Sequence, residues 1–218
     1  MENVTSDEME QKKTAFRRVA RKLCGQRISH VSYVAIDYEG GECYWDLGTV
    51  HAPEFGLDLR LDNGQAIGIT WGSDFYPHAL SLTDGPLRDE VFGPGVWDVT
   101  TERHWASLIN QKIEEIILYW YQWEEKYVQI QPSLETGTKF QVAPIDLELL
   151  FESGERVYFI SAEYDLEFDP PKVLCDDNIS VIFDEETAHR CQVGKYYERP
   201  SDYQVEVRPE VLCKTADG

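Results

Sequence analysis

The apolar positions of this chain switch twice from a helical to a strand period. Phe16, Val19, Ala20 and Leu23 follow the i, i+3, i+4, i+7 spacing of one helix face. The segment Ile28 to Tyr38 then carries Val, Ile and Tyr at a density that favours a pleated strand. Later the same succession returns: Trp105, Leu108 and Ile109 mark a short helix ending near Asn110, and Ile113 to Trp123 follows it. Positions 105, 109, 113, 116, 117 and 120 also suit one long amphipathic helix, but the β-branched and aromatic run Ile116 to Trp123 decides for a strand. Both faces of that strand are apolar, with Ile117, Tyr119 and Tyr121 on one and Ile116, Leu118 and Trp120 on the other. Such a strand is expected at the centre of a sheet or between layers.

Aligned at an offset of 85, Leu23, Gln26, Arg27, Ile28 and Val31 fall on Leu108, Gln111, Lys112, Ile113 and Ile116. A second block, GLDLRLDNGQAIGI, matches DLELLFESGERVYF at an offset of 90, with Leu57, Leu59, Asp62, Gly64 and Ile67 on Leu147, Leu149, Glu152, Gly154 and Val157. In each block apolar residues alternate on either side of a Gly-containing turn, the pattern of a β-hairpin. The expected architecture is α+β, mostly antiparallel sheet, as a tandem duplication of a helix followed by antiparallel strands and a hairpin. The units are 9–94 and 95–193, with a C-terminal extension 194–218, and the boundary falls near Gly95 in a Gly- and Pro-rich stretch. Further strands are expected in Cys43 to Val50, His78 to Leu82, Ile179 to Phe183 and Tyr203 to Val207, with turns or loops at Gly40-Gly41, Pro53 to Gly56 and Gln131 to Gly137. Gly25 is the expected stop of the first helix, and Thr100 the expected cap of the second.

Charge changes the picture from fold to partner. The net charge is −20, yet Lys12, Lys13, Arg17, Arg18, Arg21 and Lys22 make residues 12–22 +6, which leaves −26 elsewhere. Between Glu163 and Glu186 nine acids (Glu163, Asp165, Glu167, Asp169, Asp176, Asp177, Asp184, Glu185 and Glu186) face one base, Lys172. Such a body repels nucleic-acid backbones and steers cationic partners toward itself. The basic helix reads as the solvated face of a core helix. No run reaches the length of a membrane helix, and MENVTSDEMEQKK has neither the basic start nor the apolar core of a secretory signal, so a cytoplasmic location is expected. Five scattered cysteines without a Cys-x-x-Cys pair read as reduced thiols, without structural zinc or an obligatory disulfide.

Catalytic signatures are absent: no Ser or Cys sits in a nucleophile elbow, and no Gly-rich loop ends in Gly-Lys-Ser/Thr. Glu186-x-x-His189-x-Cys191 is a sparse ligand set and reads as an exposed turn after a strand, so neither a metal nor a cofactor is expected. The aromatic set Tyr44, Trp45, Trp71, Phe75, Tyr76, Trp97, Trp120 and Trp123 suits a core; Trp71 to Tyr76 stands out because it mixes aromatics with an acid, as interface loops do. The expectation is a non-enzymatic protein-binding module, an immunity protein inhibiting a basic bacterial toxin. Its partner-binding residues are Trp71, Asp74, Phe75, Tyr76, Asp176, Asp177, Asp184 and Glu185. One alternative is a small hydrolase with His51, His78 or His104 and carboxylates in a cleft between the units. Another is a ligand-sensing or scaffold domain.

Overall fold

The computed structural model describes residues 6–36, 44–87, 94–128, 136–163, 173–198 and 205–215. The Gly40-Gly41 turn, the loop residues 131–135, the acids Asp165, Glu167 and Asp169, the base Lys172 and Tyr203 lie outside them, and Asp176 is described by its backbone alone. Helix α1 (Ser6–Ala20) leads through a 3₁₀ turn (Arg21–Leu23) into β1 (Ile28–Ile36). There follow β2 (Trp45–Asp46), β3 (Val50–Ala52), β4 (Gly56–Leu61), β5 (Ala66–Gly72), β6 (Ala79–Thr83) and β7 (Pro94–Asp98). Next come α2 (Arg103–Leu108), β8 (Ile113–Val128), β9 (Thr136–Phe151), β10 (Arg156–Glu163), β11 (Val173–Ile182), α3 (Glu185–Arg190) and β12 (Val205–Lys214). No helix among the described residues is long and apolar enough to cross a membrane.

The fold is α+β with antiparallel pairing throughout both sheets. One sheet has the order β6-β5-β4-β1-β7, the other β12-β8-β9-β10-β11-β3-β2. The reason the two matched sequence blocks fold alike lies in their turns. Gly64 (φ +84°) and Gly154 (φ +89°) take the left-handed conformation that a Cβ disfavours, and each donates its N–H back to the end of the preceding strand, at Leu61 O and Phe151 O. These turns set the hairpin registers Leu59 to Ile67 and Leu149 to Val157. Ile28 lies opposite Leu61 and Ile113 opposite Phe151, with an irregularity one step further along each pair. Where the two sheets meet, Gly25 N–H donates to Ile113 O at 3.0 Å and Asn110 N–H to Ile28 O at 2.8 Å.

Alternation along these strands places Leu57, Leu59, Ile67 and Ile69 of one sheet against Leu147, Leu149, Val157 and Phe159 of the other, all fully buried in one core. Helix α1 adds Phe16, Val19 and Ala20, and α2 adds Trp105 and Leu108. Strand β8 sits between β12 and β9, and both its faces are covered as its pattern implies. Ile116, Leu118 and Trp120 enter the shared core, whereas Tyr119 and Tyr121 enter a second one beneath Ala188, Cys191 and Val193. Three of the six basic residues of 12–22 pair with acids of the chain, Lys13 with Glu10 at 2.8 Å, Arg17 with Glu210 at 2.8 Å and Lys22 of the 3₁₀ turn with Asp84 at 2.6 Å, while Lys12 Nζ donates to the backbone carbonyl of Asp74 at 2.5 Å.

Several details differ from the sequence reading. Cys24 and Cys213 form a disulfide, where spacing suggested reduced thiols; the partners are 189 residues apart, a separation no local motif reveals. The cap of α2 is the Glu102 side chain, which accepts from His104 N and Trp105 N. Thr100 instead ties its hydroxyl to Val31 N at 3.1 Å on β1. Residues 185–190 are a helix, α3, rather than a turn, and Cys191 behind it is buried. The segment 43–50 divides into β2 and the start of β3, and these two strands from 9–94, together with β12 from 194–218, complete the sheet built mainly by 95–193.

Candidate functional site

The aromatic residues of the Trp71 to Tyr76 segment are tied inward. Trp71 Nε1 donates to Glu54 O at 3.1 Å; the Phe75 ring lies 6.0 Å from Phe16 and 5.4 Å from Trp120, and Tyr76 lies 4.9 Å from Trp123. All three are half-buried, and of the residues expected there only Asp74 is exposed. Asp177 is exposed on β11. Asp184 is the cap of α3, its Oδ1 accepting from Thr187 N at 2.8 Å. Burial pushes its carboxyl up, but the bonds from Thr187, Thr49 and the Glu186 backbone outweigh this and hold it below the ordinary value. Glu185, on the surface, accepts from Lys195 (2.7 Å) and Tyr196, whose hydrogen bonds and the lysine charge bring it down to about 2.

Two aromatic side chains stand open among the described residues, Phe140 on β9 (61% exposed) and Trp45 on the terminal strand of the larger sheet, and only the second has acids beside it on a fastened turn. Trp45 is 57% and Leu47 37% exposed on β2 and just after it, with exposed Asp46 between them. The turn that holds them is short: Leu47 N–H donates to Val50 O at 2.9 Å, Asp46 Oδ1 accepts from Gly48 N at 2.8 Å, and Gly48 takes φ +87°. The start of α3 is fastened to this hairpin through Phe183 N–H to Thr49 O (3.1 Å) and the hydroxyl pair Thr49 and Thr187 (2.7 Å). Asp184, Glu185 and Glu186 therefore stand beside the edge that carries Trp45. The sequence offers Trp45-Asp46-Leu47-Gly48 as the signal, but a two-residue strand is too short for periodicity to single out.

Behind the hairpin, three histidine-reading expectations separate. His51 on β3 and His104 on α2 come together, with ring centroids 5.6 Å apart, whereas His78 lies against Trp71. His51 is fully buried; its Nδ1 is 2.8 Å from Tyr33 Oη, which in turn accepts from Trp105 Nε1 at 2.8 Å. Its Nε2 has no hydrogen-bond partner and faces the Asp46 carboxylate at 3.8 Å. Burial pushes the imidazole down to about 4 against the pull of Glu102 and Asp46, so it is neutral at pH 7. His104 stacks on Phe183 at 4.7 Å and places Nε2 2.8 Å from Gly48 O. The donor atoms of His51, Glu102 and His104 all lie within 4.8 Å of one another. Glu102 enters through its capping role, which sequence reading gave to Thr100.

A third polar group fills the far side of the larger sheet. Tyr121 Oη donates to Asp146 Oδ2 at 2.5 Å and Tyr119 Oη to Glu148 Oε2 at 2.6 Å, while Arg156 pairs with Glu148 and Gly194 N–H donates to Asp146 at 2.7 Å. Burial raises the phenols of Tyr119 and Tyr158 above their ordinary value. Tyr119, Tyr121, Asp146, Glu148 and Arg156 bond within this group and to the Gly194 turn, which makes them a fastening for residues 191–197, while the buried Tyr158 hydroxyl has no hydrogen-bond partner among the described residues. No protein-family model, curated protein or solved structure matches this chain.

Proposed function

We propose that the protein is a non-enzymatic binding module that takes a basic protein partner on the β2 edge and the adjoining start of α3, in the manner of an immunity protein blocking a toxin. The observation that carries this reading is Trp45, 57% exposed on a terminal strand, with Asp46 next to it and the acidic start of α3 fastened alongside. Acids speed encounter with a cationic surface, and a desolvated aromatic anchor slows escape. A terminal strand also offers unpaired backbone groups for main-chain bonding. The repeated strand order supports a second proposal, that the two halves arose by tandem duplication and that one of them acquired the β2–β3 edge as its binding feature.

The test uses a basic protein recovered with this chain by pull-down, then co-expressed and purified as a complex. Trp45→Ala is expected to raise the dissociation rate at least about tenfold. Glu185→Lys with Glu186→Lys is expected to slow association at low ionic strength while leaving dissociation nearly unchanged. Asp184 is left intact because it caps α3. A complex indifferent to Trp45→Ala and Leu47→Ala, yet lost on Trp71→Ala, refutes the assigned edge. The hydrolase alternative draws on one observation, the meeting of His51, Glu102 and His104 between elements of the two halves. Turnover of a small molecule by the isolated chain decides for it.

A further inference from the structure

We propose that His51, Glu102 and His104 bind one divalent transition-metal ion of the zinc class, between the β2–β3 hairpin and the start of α2. The first support is the orphaned nitrogen. Buried polar atoms nearly always have a partner, yet Nε2 of fully buried His51 has none and faces carboxylates. The second is convergence: the three donor atoms lie within 4.8 Å of one another, and an ion at bond lengths near 2.1 Å draws tetrahedral ligands to about 3.4 Å apart. Side-chain rotation and a small movement of the hairpin cover that difference. Two imidazoles with one carboxylate suit zinc, cobalt or nickel better than magnesium or calcium, which prefer oxygen alone.

The outer partners also fit. An imidazole that ligates through one nitrogen normally donates its other N–H to an acceptor, which fixes the ring. With the ion on Nδ1 of His104, Nε2–H donates to Gly48 O at 2.8 Å and Phe183 stacks on the ring, and the exposed Arg103 side chain, whose Nε lies 3.0 Å from the same Nε2, turns away into solvent. For His51 the acceptor is Tyr33 Oη at 2.8 Å. Without metal, the phenol donates to Nδ1 and the imidazole proton sits on Nε2. With metal on Nε2, that proton moves to Nδ1, which donates to the phenol oxygen, already the acceptor of Trp105 Nε1–H. Glu102 retains Oε1 for the ion while Oε2 caps α2. Asp46, 3.8 Å from His51 Nε2, adds negative charge at the open fourth position. Arg103 opposes it, but its side chain is 65% exposed and solvated.

The site is independent of the partner-binding reading. The full chain, stripped with chelator, is titrated with Co²⁺ as the spectroscopic probe. One equivalent is expected to bind with the visible d–d absorption of a four- or five-coordinate ion and to be displaced by Zn²⁺. His51→Gln, His104→Ala and Glu102→Gln are each expected to weaken binding at least about tenfold, and His189→Ala to leave it unchanged. Glu102→Gln keeps an oxygen for the helix cap, so its effect reads ligation and not folding, which circular dichroism checks for each variant. Absence of the absorption in the wild-type chain, or unchanged affinity in His104→Ala or Glu102→Gln, overturns the assignment.

Discussion

Breaking the Cys24–Cys213 disulfide is the perturbation whose effect is largest relative to the number of atoms changed. Cys24 follows the 3₁₀ turn after α1, and Cys213 lies near the end of β12, 189 residues away. In the chain-entropy account, closing a loop of that length removes about 18 cal/mol/K from the unfolded chain, or about 5 kcal/mol at 25 °C. Measured values fall below this estimate where the unfolded chain keeps residual contacts, so a loss of about 2–5 kcal/mol is expected. The assay is urea unfolding of oxidised protein, reduced protein and Cys24→Ser/Cys213→Ser. The midpoint is expected to fall in both treated samples, with amide exchange rising first along β12. Peptide mapping without reductant verifies the linkage beforehand. Equal midpoints and equal slopes for linked and reduced chains refute the loop-closure argument, and failure to find the linked peptides refutes the pairing itself.

Three further outcomes are expected. Leu149→Ala, in the core shared by both sheets, should cost about 2–5 kcal/mol by chemical denaturation; a loss under 1 kcal/mol contradicts the packing described. Tyr33→Phe leaves both the Trp105 N–H and His51 Nδ1 without the hydroxyl that each bonds and should cost about 1–3 kcal/mol, with the tryptophan fluorescence changed; an unaltered midpoint argues against this buried hydrogen-bond chain. Glu185 has a depressed folded-state value of about 2, so its contribution is fully present above the ordinary carboxylate value and is lost as pH falls toward 2. The midpoint gap between wild type and Glu185→Gln should therefore narrow between roughly pH 5 and pH 2, and a gap that widens there contradicts the sign.

The legible parts of the fold were those encoded over a few neighbouring residues. The helix-to-strand change before Ile113, the two apolar faces of β8 and the Gly64 and Gly154 turns each follow from local period or backbone preference. What escaped sequence reading depends on distance. Cys24 and Cys213 meet because β12 returns along β8, and β2 and β3 are too short to reveal that they leave one sheet for the other. The Trp71 to Tyr76 segment resembled an interface loop because it mixes aromatics with an acid, but Phe16, Trp120 and Trp123 draw it inward. His51 and His104 were recognisable as chemistry-bearing residues, yet their third companion was hidden by giving the cap of α2 to Thr100 instead of Glu102.

The position of β12 has a consequence for how the chain is made. Strand β8 is hydrogen bonded to β12 from Glu115 to Trp123, and residues 205–214 leave the ribosome long after β8 has done so. During that interval a nascent chain holds an aromatic strand with one row of amides and carbonyls unsatisfied, a template for pairing with another copy. A stop codon before residue 205 converts that briefly exposed ribbon into a permanent one. Such truncated products are expected to sediment as aggregates, even though every residue of the Trp45 hairpin is already in them.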